Sequence, residues 1–281
     1  MRSLSVVIPA YNEAGNIEEV IASIPVSELA DLGWSTEIVV VDNNSSDGTG
    51  ALARACGAQV VFQPEQGYGN AYKAGFAAAE GEVIASGDAD RTYPFDYLPE
   101  LLAKLESSGA DFLTTDRLHS GNRGAMKHSH FWANHILSFF CRLIFRHDIR
   151  DSQSGMWVFH QRVWAGVDVR SPGMAFSQEI KNAAVLAGYK VAETTIEYRV
   201  RGGDVKLNSV RDGVRNLAQQ FGHRIRHDGP ASGDSHQDQA KRDLLPVMRS
   251  VNVSSANVSS AIVSEAEGAT PGCQPSSGRA A

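Results

Sequence analysis

The amino-acid sequence predicts an α/β protein, a doubly wound layer whose mostly parallel central sheet is covered by helices on both faces. Three observations carry that expectation. Runs such as Val6-Val7-Ile8 and Ile38-Val39-Val40-Val41 are apolar on successive residues, longer segments of helical period separate them, and three of the runs end abruptly in polar clusters. In such folds ligands lie at the carboxyl ends of the strands.

Taken in order, Leu4 to Ile8 reads as a strand. Asn12 to Ile24 reads as a helix because Ile17, Val20, Ile21 and Ile24 share one face, with Asn12-Glu13 able to cap it and place an acid in its first turn. Glu37 to Val41 is a second strand, Thr49 to Cys56 helical, Gln59 to Phe62 extended and Asn70 to Glu80 helical. Glu82 to Ser86 is a buried strand that runs into Asp88-Ala89-Asp90, and Phe112 to Thr115 is a later strand. Past Phe221 the chain turns basic, then polar, then into a Ser/Ala/Val/Gly tract without a period. One folded domain over 1–221 and a disordered low-complexity tail over 222–281 are therefore expected.

Composition narrows the function. With 42% hydrophobic residues the chain can fill a sizeable core, and a net charge of -6 argues against a nucleic-acid partner. Cys56, Cys141 and Cys273 are widely spaced, so neither a disulfide framework nor a zinc site is suggested, and a reducing cytoplasm fits. No basic segment and apolar stretch precede the first strand, and no apolar run approaches ~18 residues, so neither a signal peptide nor a membrane span is expected.

Three polar clusters follow strands: Pro9-Ala10-Tyr11-Asn12-Glu13, Asp42 to Thr49, and Asp88-Ala89-Asp90. Asp88 and Asp90 sit close enough to repel, and a divalent cation itself bound to phosphates would neutralise them, as in a nucleotide-sugar site. Taken alone, the triplet reads more readily as a helix cap or Asx turn. Asp42 ends a buried run and aims its carboxylate into the cleft, where a base or ribose can donate to it. Gly67-Tyr68-Gly69-Asn70 opens a helix whose amides could meet an anion. It is not the dinucleotide fingerprint, because the glycines come after the third strand.

Together Val6 to Glu13, Val41 to Thr49, Gly67 to Ala71 and Asp88-Ala89-Asp90 resemble the ordered motifs of family 2 glycosyltransferases with the GT-A fold. Asp151-Ser152-Gln153-Ser154-Gly155 and Tyr198 to Leu207 are similar to the polyprenyl-phosphate (dolichol-phosphate) mannosyl- and glucosyltransferase branch. The resemblance implies a GDP-mannose or UDP-glucose type of donor, with Pro9, Tyr11, Glu13, Asp42 and the backbone of Val41 lining the nucleoside pocket. It implies Mg2+ or Mn2+ on Asp90, with Asp88 and its neighbour Ala89 at the ribose or metal. Arg117 would lie near the donor sugar and phosphates, and Arg199 or Arg201 with Lys206 would clamp the diphosphate. Three departures stand out: Asn43 in place of a second acid, Arg91 after the triplet, and Thr114-Thr115-Asp116 ahead of Arg117.

The second half adds an acceptor side. Phe131, Trp132, Ile136, Leu137, Phe139, Phe140, Leu143 and Ile144 form an aromatic helix interrupted by polar residues, which suits either a headgroup-level membrane contact or a core helix. Arg123, in a loop over Gly121 to Met126, and Gln153 are assigned to the acceptor. A lipid monophosphate is already anionic near neutral pH and needs no protein base. A hydroxyl acceptor would need one, and Glu179, which otherwise reads as an exposed helical residue, is the nominee. A nucleotide-sugar-binding domain without transfer is the remaining alternative.

Overall fold

The computed structural model describes residues 1–122 and 128–200. In chain order the elements are β1 (Arg2–Ala10), α1 (Ile17–Ala22), α2 (Val26–Asp31), β2 (Trp34–Asp42), α3 (Thr49–Ala55), β3 (Gln59–Phe62), α4 (Tyr68–Ala78), β4 (Val83–Ser86), α5 (Leu98–Ser108), β5 (Phe112–Asp116), α6 (His128–Phe145), β6 (Trp157–His160), α7 (Gln161–Gly166), α8 (Phe176–Leu186) and β7 (Val191–Thr195). The strands form one sheet in the order β3-β2-β1-β4-β6-β5-β7. Only β6 runs against its neighbours; the other pairings are parallel. The expected α/β layer is what the chain forms.

Successive side chains of a strand point to opposite faces, so a strand buried on both faces must be apolar throughout. Leu4, Val6 and Ile8 of β1 join Ile17, Val20 and Ile21 of α1 and Leu101, Leu102 and Leu105 of α5 in one core. Val7 joins Val39 and Val41 of β2 with Tyr72 and Phe76 of α4 and Phe176 and Ile180 of α8 in the other. Each fully buried Val, Leu or Ile contributes roughly 1.5–3 kcal/mol, which fixes the register of β1 against β2 and β4. Helix α4 lies close on the sheet at Gly75, where a Cβ would come 2.9 Å from Val41 Cγ2. That packing lays the N-terminus of α4 beside the strand ends.

The elements differ from expectation in three places. The first helix begins at Ile17, because Asn12 has a left-handed backbone (φ 53°) that cannot start it; Asn16 stands at the N-cap. A short helix, α2, buries Leu29 where no element is expected. The glycine-rich helix starts two residues early, at Tyr68. The expected tail, the boundary at 221, and Arg123, Arg201 and Lys206 lie outside the described residues. Among the described residues no helix is long and apolar enough to cross a membrane.

Candidate active site

The loops that follow β1, β2 and β4 each contain a non-glycine residue in the left-handed region: Asn12 (φ 53°), Asn44 (φ 64°) and Arg91 (φ 69°). Such a backbone costs of order 1 kcal/mol or more, so surrounding contacts must hold it. The first two loops hold each other. Ser46 N donates to Asn12 Oδ1 at 2.9 Å, Asn12 N to Ser45 Oγ at 3.0 Å, Glu13 N to Thr49 Oγ1 at 2.9 Å and Ala14 N to Asp47 Oδ2 at 3.0 Å. Burial alone would raise the Asp47 carboxyl, but Thr49's hydroxyl and the amides of Ala14 and Thr49 hold it below the usual carboxylate range.

Within this frame Pro9 is half-buried, Tyr11 is exposed, and the buried Glu13 accepts a hydrogen bond from Asn16 Nδ2 at 2.7 Å. Asp42 ends β2 with Oδ1 taking Ser45 N at 2.9 Å, so part of its carboxylate serves a turn. Val41 is fully buried, packed under α4. Asn43, the departure from an acid, is used fully: its Nδ2 donates to Gln63 O at 3.2 Å and Glu65 O at 2.9 Å, and its Oδ1 accepts from Gly67 N at 2.8 Å. The α4 N-terminus is correspondingly less open than expected. Gly67 N is taken by Asn43, and Asn70 N donates to Pro172 O at 3.1 Å.

The pair at the end of β4 carries the charge of the site. Asp90 is buried, and its Oδ1 accepts from Thr92 N at 3.2 Å and Thr92 Oγ1 at 2.6 Å. Asp88 is partly buried and receives Tyr72 Oη at 3.3 Å; that hydroxyl also reaches Gly155 O at 3.2 Å. Burial, and then the charge of Asp90, push the Asp88 carboxyl up to about 7, against the pull of Arg117 and of hydrogen bonds from Tyr68 and Tyr72. An acid raised by burial beside a second acid fits a divalent cation. Among the described residues no three His, Cys, Asp or Glu side chains converge on one point. Two neighbouring carboxylates are the kind of donor set that Mg2+ or Mn2+ takes when phosphate and water complete its shell.

Arg117 faces this pair from β5. It is buried, and its Nε and Nη2 donate to Asp151 Oδ2 at 2.7 Å and Oδ1 at 3.0 Å. Its guanidinium carbon lies 5.2 Å from the Tyr198 ring centroid and 5.9 Å from that of Tyr93. Burial disfavours both charges, yet each partner holds the other ionised. In the sequence Asp151 stands within a family-like motif that gives it no role of its own, and Tyr72, Tyr93 and Lys181 carry no signal beyond apolar or helical spacing. Of the other expected residues, Gln153 Nε2 donates to Gln178 Oε1 at 2.9 Å and Ser152 Oγ at 3.0 Å. Glu179 is not exposed: it is buried at the start of α8, accepting Ser171 N at 2.7 Å. Arg199 forms a bidentate pair with Asp96, both distances 2.9 Å. Ala89 is buried in the core behind the pair.

The pattern of Glycosyl transferase family 2 matches residues 5–165, more than half of the chain. The chain belongs to glycosyl transferase family 2. The low-salt glycan biosynthesis hexosyltransferase Agl6 of Haloferax volcanii is 36% identical over 218 residues, which cover 76% of this chain and 52% of Agl6; the chain thus spans about half the length of that relative. A dolichyl-phosphate hexose transferase of the same organism is 31% identical, covering 75% of this chain and 89% of its own. The solved structure of Mycobacterium tuberculosis glucosyl-3-phosphoglycerate synthase in complex with Mn2+, UDP and phosphoglyceric acid superposes with a TM-score of 0.61 at 23% identity, covering 83% and 81% of the two chains. That likeness is one of fold, the GT-A fold. In this family 2 glycosyltransferase the matched segment holds Asp88, Asp90, Arg117 and Asp151 and ends before Glu179, Lys181 and Arg199.

Proposed function

We propose that this family 2 glycosyltransferase moves a hexose from a nucleotide-diphosphate sugar of the GDP-mannose or UDP-glucose type to a polyprenyl phosphate, with inversion at the anomeric carbon. The observation that carries it is the Asp88/Asp90 pair at the end of β4, with the buried Arg117 cation facing it. Asp90, joined by Asp88, would hold Mg2+ or Mn2+, which when bound neutralises charge on the diphosphate leaving group. Pro9, Tyr11, Glu13 and Asp42 would receive the nucleoside, and Arg117 would draw the donor phosphates towards β5. Arg201 and Lys206 complete this reading as a clamp; Arg199 is already paired with Asp96.

A phosphate acceptor is favoured over a hydroxyl because it brings its own negative charge and needs no base, and because relatives at 31% and 29% identity are a dolichyl-phosphate hexose transferase and a dolichol-phosphate mannosyltransferase. Glu179, the base that a hydroxyl acceptor would require, is engaged by the Ser171 amide. Arg123 and Gln153 are assigned to the lipid phosphate. One face of α6 presents Trp132, Ile136, Phe139 and Leu143, each more than half exposed, with Arg142 and Arg146 exposed beside them. That face supports a peripheral contact with the inner surface of the membrane.

The test is transfer from radiolabelled nucleotide sugars with Mn2+, with and without short-chain polyprenyl phosphate. Lipid-linked product is expected; transfer solely to a hydroxyl compound would reject the lipid acceptor. Asp90→Asn should weaken metal-dependent donor binding by roughly a hundredfold or more, and unchanged calorimetric affinity removes that residue from the site.

A further inference from the structure

Lys181 lies on α8, outside the family-matched segment, and its side chain is buried (1% exposed). Its Nζ donates to the carbonyls of Asp151 at 2.9 Å and Ser154 at 3.0 Å, 5.9 Å from the Trp157 ring centroid. Those two carbonyls lie at the first and fourth residues of the loop 151–155, whose ends touch opposite walls of the site. At one end the Asp151 carboxylate grips Arg117. At the other, Gly155 O accepts from Tyr72 Oη and Ser86 Oγ, and Gly155 N donates to Tyr93 Oη at 2.7 Å. The single Tyr72 hydroxyl proton is shared between Gly155 O at 3.2 Å and Asp88 Oδ1 at 3.3 Å.

We propose that Lys181 is a positioning residue: its ammonium spans the 151–155 loop and so fixes Arg117 relative to Asp88. This rests on the proposed transfer for its consequence in rate, but not for its consequence in structure. An unbranched apolar side chain would fill the same helix face without burying a charge, which is costly. The ammonium earns its place by tying two carbonyls that Arg117 and Asp88 both depend on. Asp151, Glu193 and Cys141 favour the charge of Lys181, while burial and Arg117 oppose it; burial is the largest influence, and the ammonium comes down to about 8.

The experiment uses the full chain and two readouts. In Lys181→Met, kcat for sugar transfer should fall about ten- to a hundredfold while donor affinity changes less than about threefold, as expected of a misplacement of the order of 1 Å. The Arg117 Nε–H resonance, assigned by its loss in Arg117→Lys, should lose its exchange protection. A kcat within about twofold of the parent, with that resonance unchanged, overturns the proposal. Should Lys181→Met fail to fold, Lys181→Ala with added propylamine decides: recovery with the amine and not with propanol supports the ammonium's role, and equal recovery with both reduces it to space-filling. If the parent protein itself transfers nothing to polyprenyl phosphate, the proposed function fails, and the Arg117 resonance still tests Lys181.

Discussion

The two halves of the sheet hold the charged groups near their strand ends in opposite ways. On the β1–β4 side, the acids Asp42, Asp47 and Asp90 accept from amides and hydroxyls: Ser45 N, Ala14 N and the amide and hydroxyl of Thr92. Neutral donors orient a carboxylate without cancelling its charge. On the β5–β7 side, Arg117 meets Asp151 in a two-point ion pair. The positive charge of Arg117 is fixed by a negative partner inside the protein. The difference teaches where an external cation belongs. It belongs on the β4 side, where negative charge remains, opposite a wall whose cation is locked in place.

Breaking the locked wall should have the larger effect. Asp151→Asn leaves Arg117 buried without its counter-charge, and a stability loss of about 3–5 kcal/mol is expected in urea denaturation. A loss below about 1 kcal/mol would mean that the two sides do not differ in kind. On the amide-held side the penalty should be smaller. Asn43→Asp replaces a donor to Gln63 O and Glu65 O with an anion facing both, which should cost about 1–3 kcal/mol and loosen the 63–67 turn that leads into α4. Equal losses in the two variants would erase the contrast, and a larger loss for Asn43→Asp would reverse it.

The same contrast explains what the sequence disclosed. Strands β1, β2 and β4 are legible because runs such as Val6-Val7-Ile8 are buried on both faces, and periodicity alone requires it. The three acid-bearing loops are legible because they follow those strands. The late start of α1 is not, since Asn12 is an ordinary cap residue until tertiary contacts with Ser45 and Ser46 hold it at φ 53°. The antiparallel β6, four residues long, gives too short a pattern to reveal its direction. Glu179 reads as an exposed helical residue, because burial of a charge depends on a partner that spacing does not reveal, here the Ser171 amide; the sequence draws no attention to Lys181, whose partners are the Asp151 and Ser154 carbonyls. Arg117 and Arg199 stand out in the sequence through the family resemblance alone; the structure adds that one is paired with Asp151 and the other with Asp96.

The finest test of the contrast is a titration of the β4 side. The Asp88 carboxyl stands at about 7 in the metal-free fold, against 3.8 ordinarily, with burial and Asp90 as the main causes. An acid raised on folding holds its proton in the native state below about 7 while the unfolded chain has already lost it above about 4, so the metal-free protein should gain stability as pH falls through that window. The sign reverses for the loaded protein. A cation must displace the proton below about 7, so metal affinity should drop roughly tenfold per pH unit there, about 1.4 kcal/mol, and level off above. Calorimetry of Mn2+ binding in two buffers of different ionisation enthalpy counts the proton: about one released near pH 6 and few above pH 8. Affinity that stays flat across this range would show that Asp88 does not share the cation, and would leave Asp90 alone to hold it.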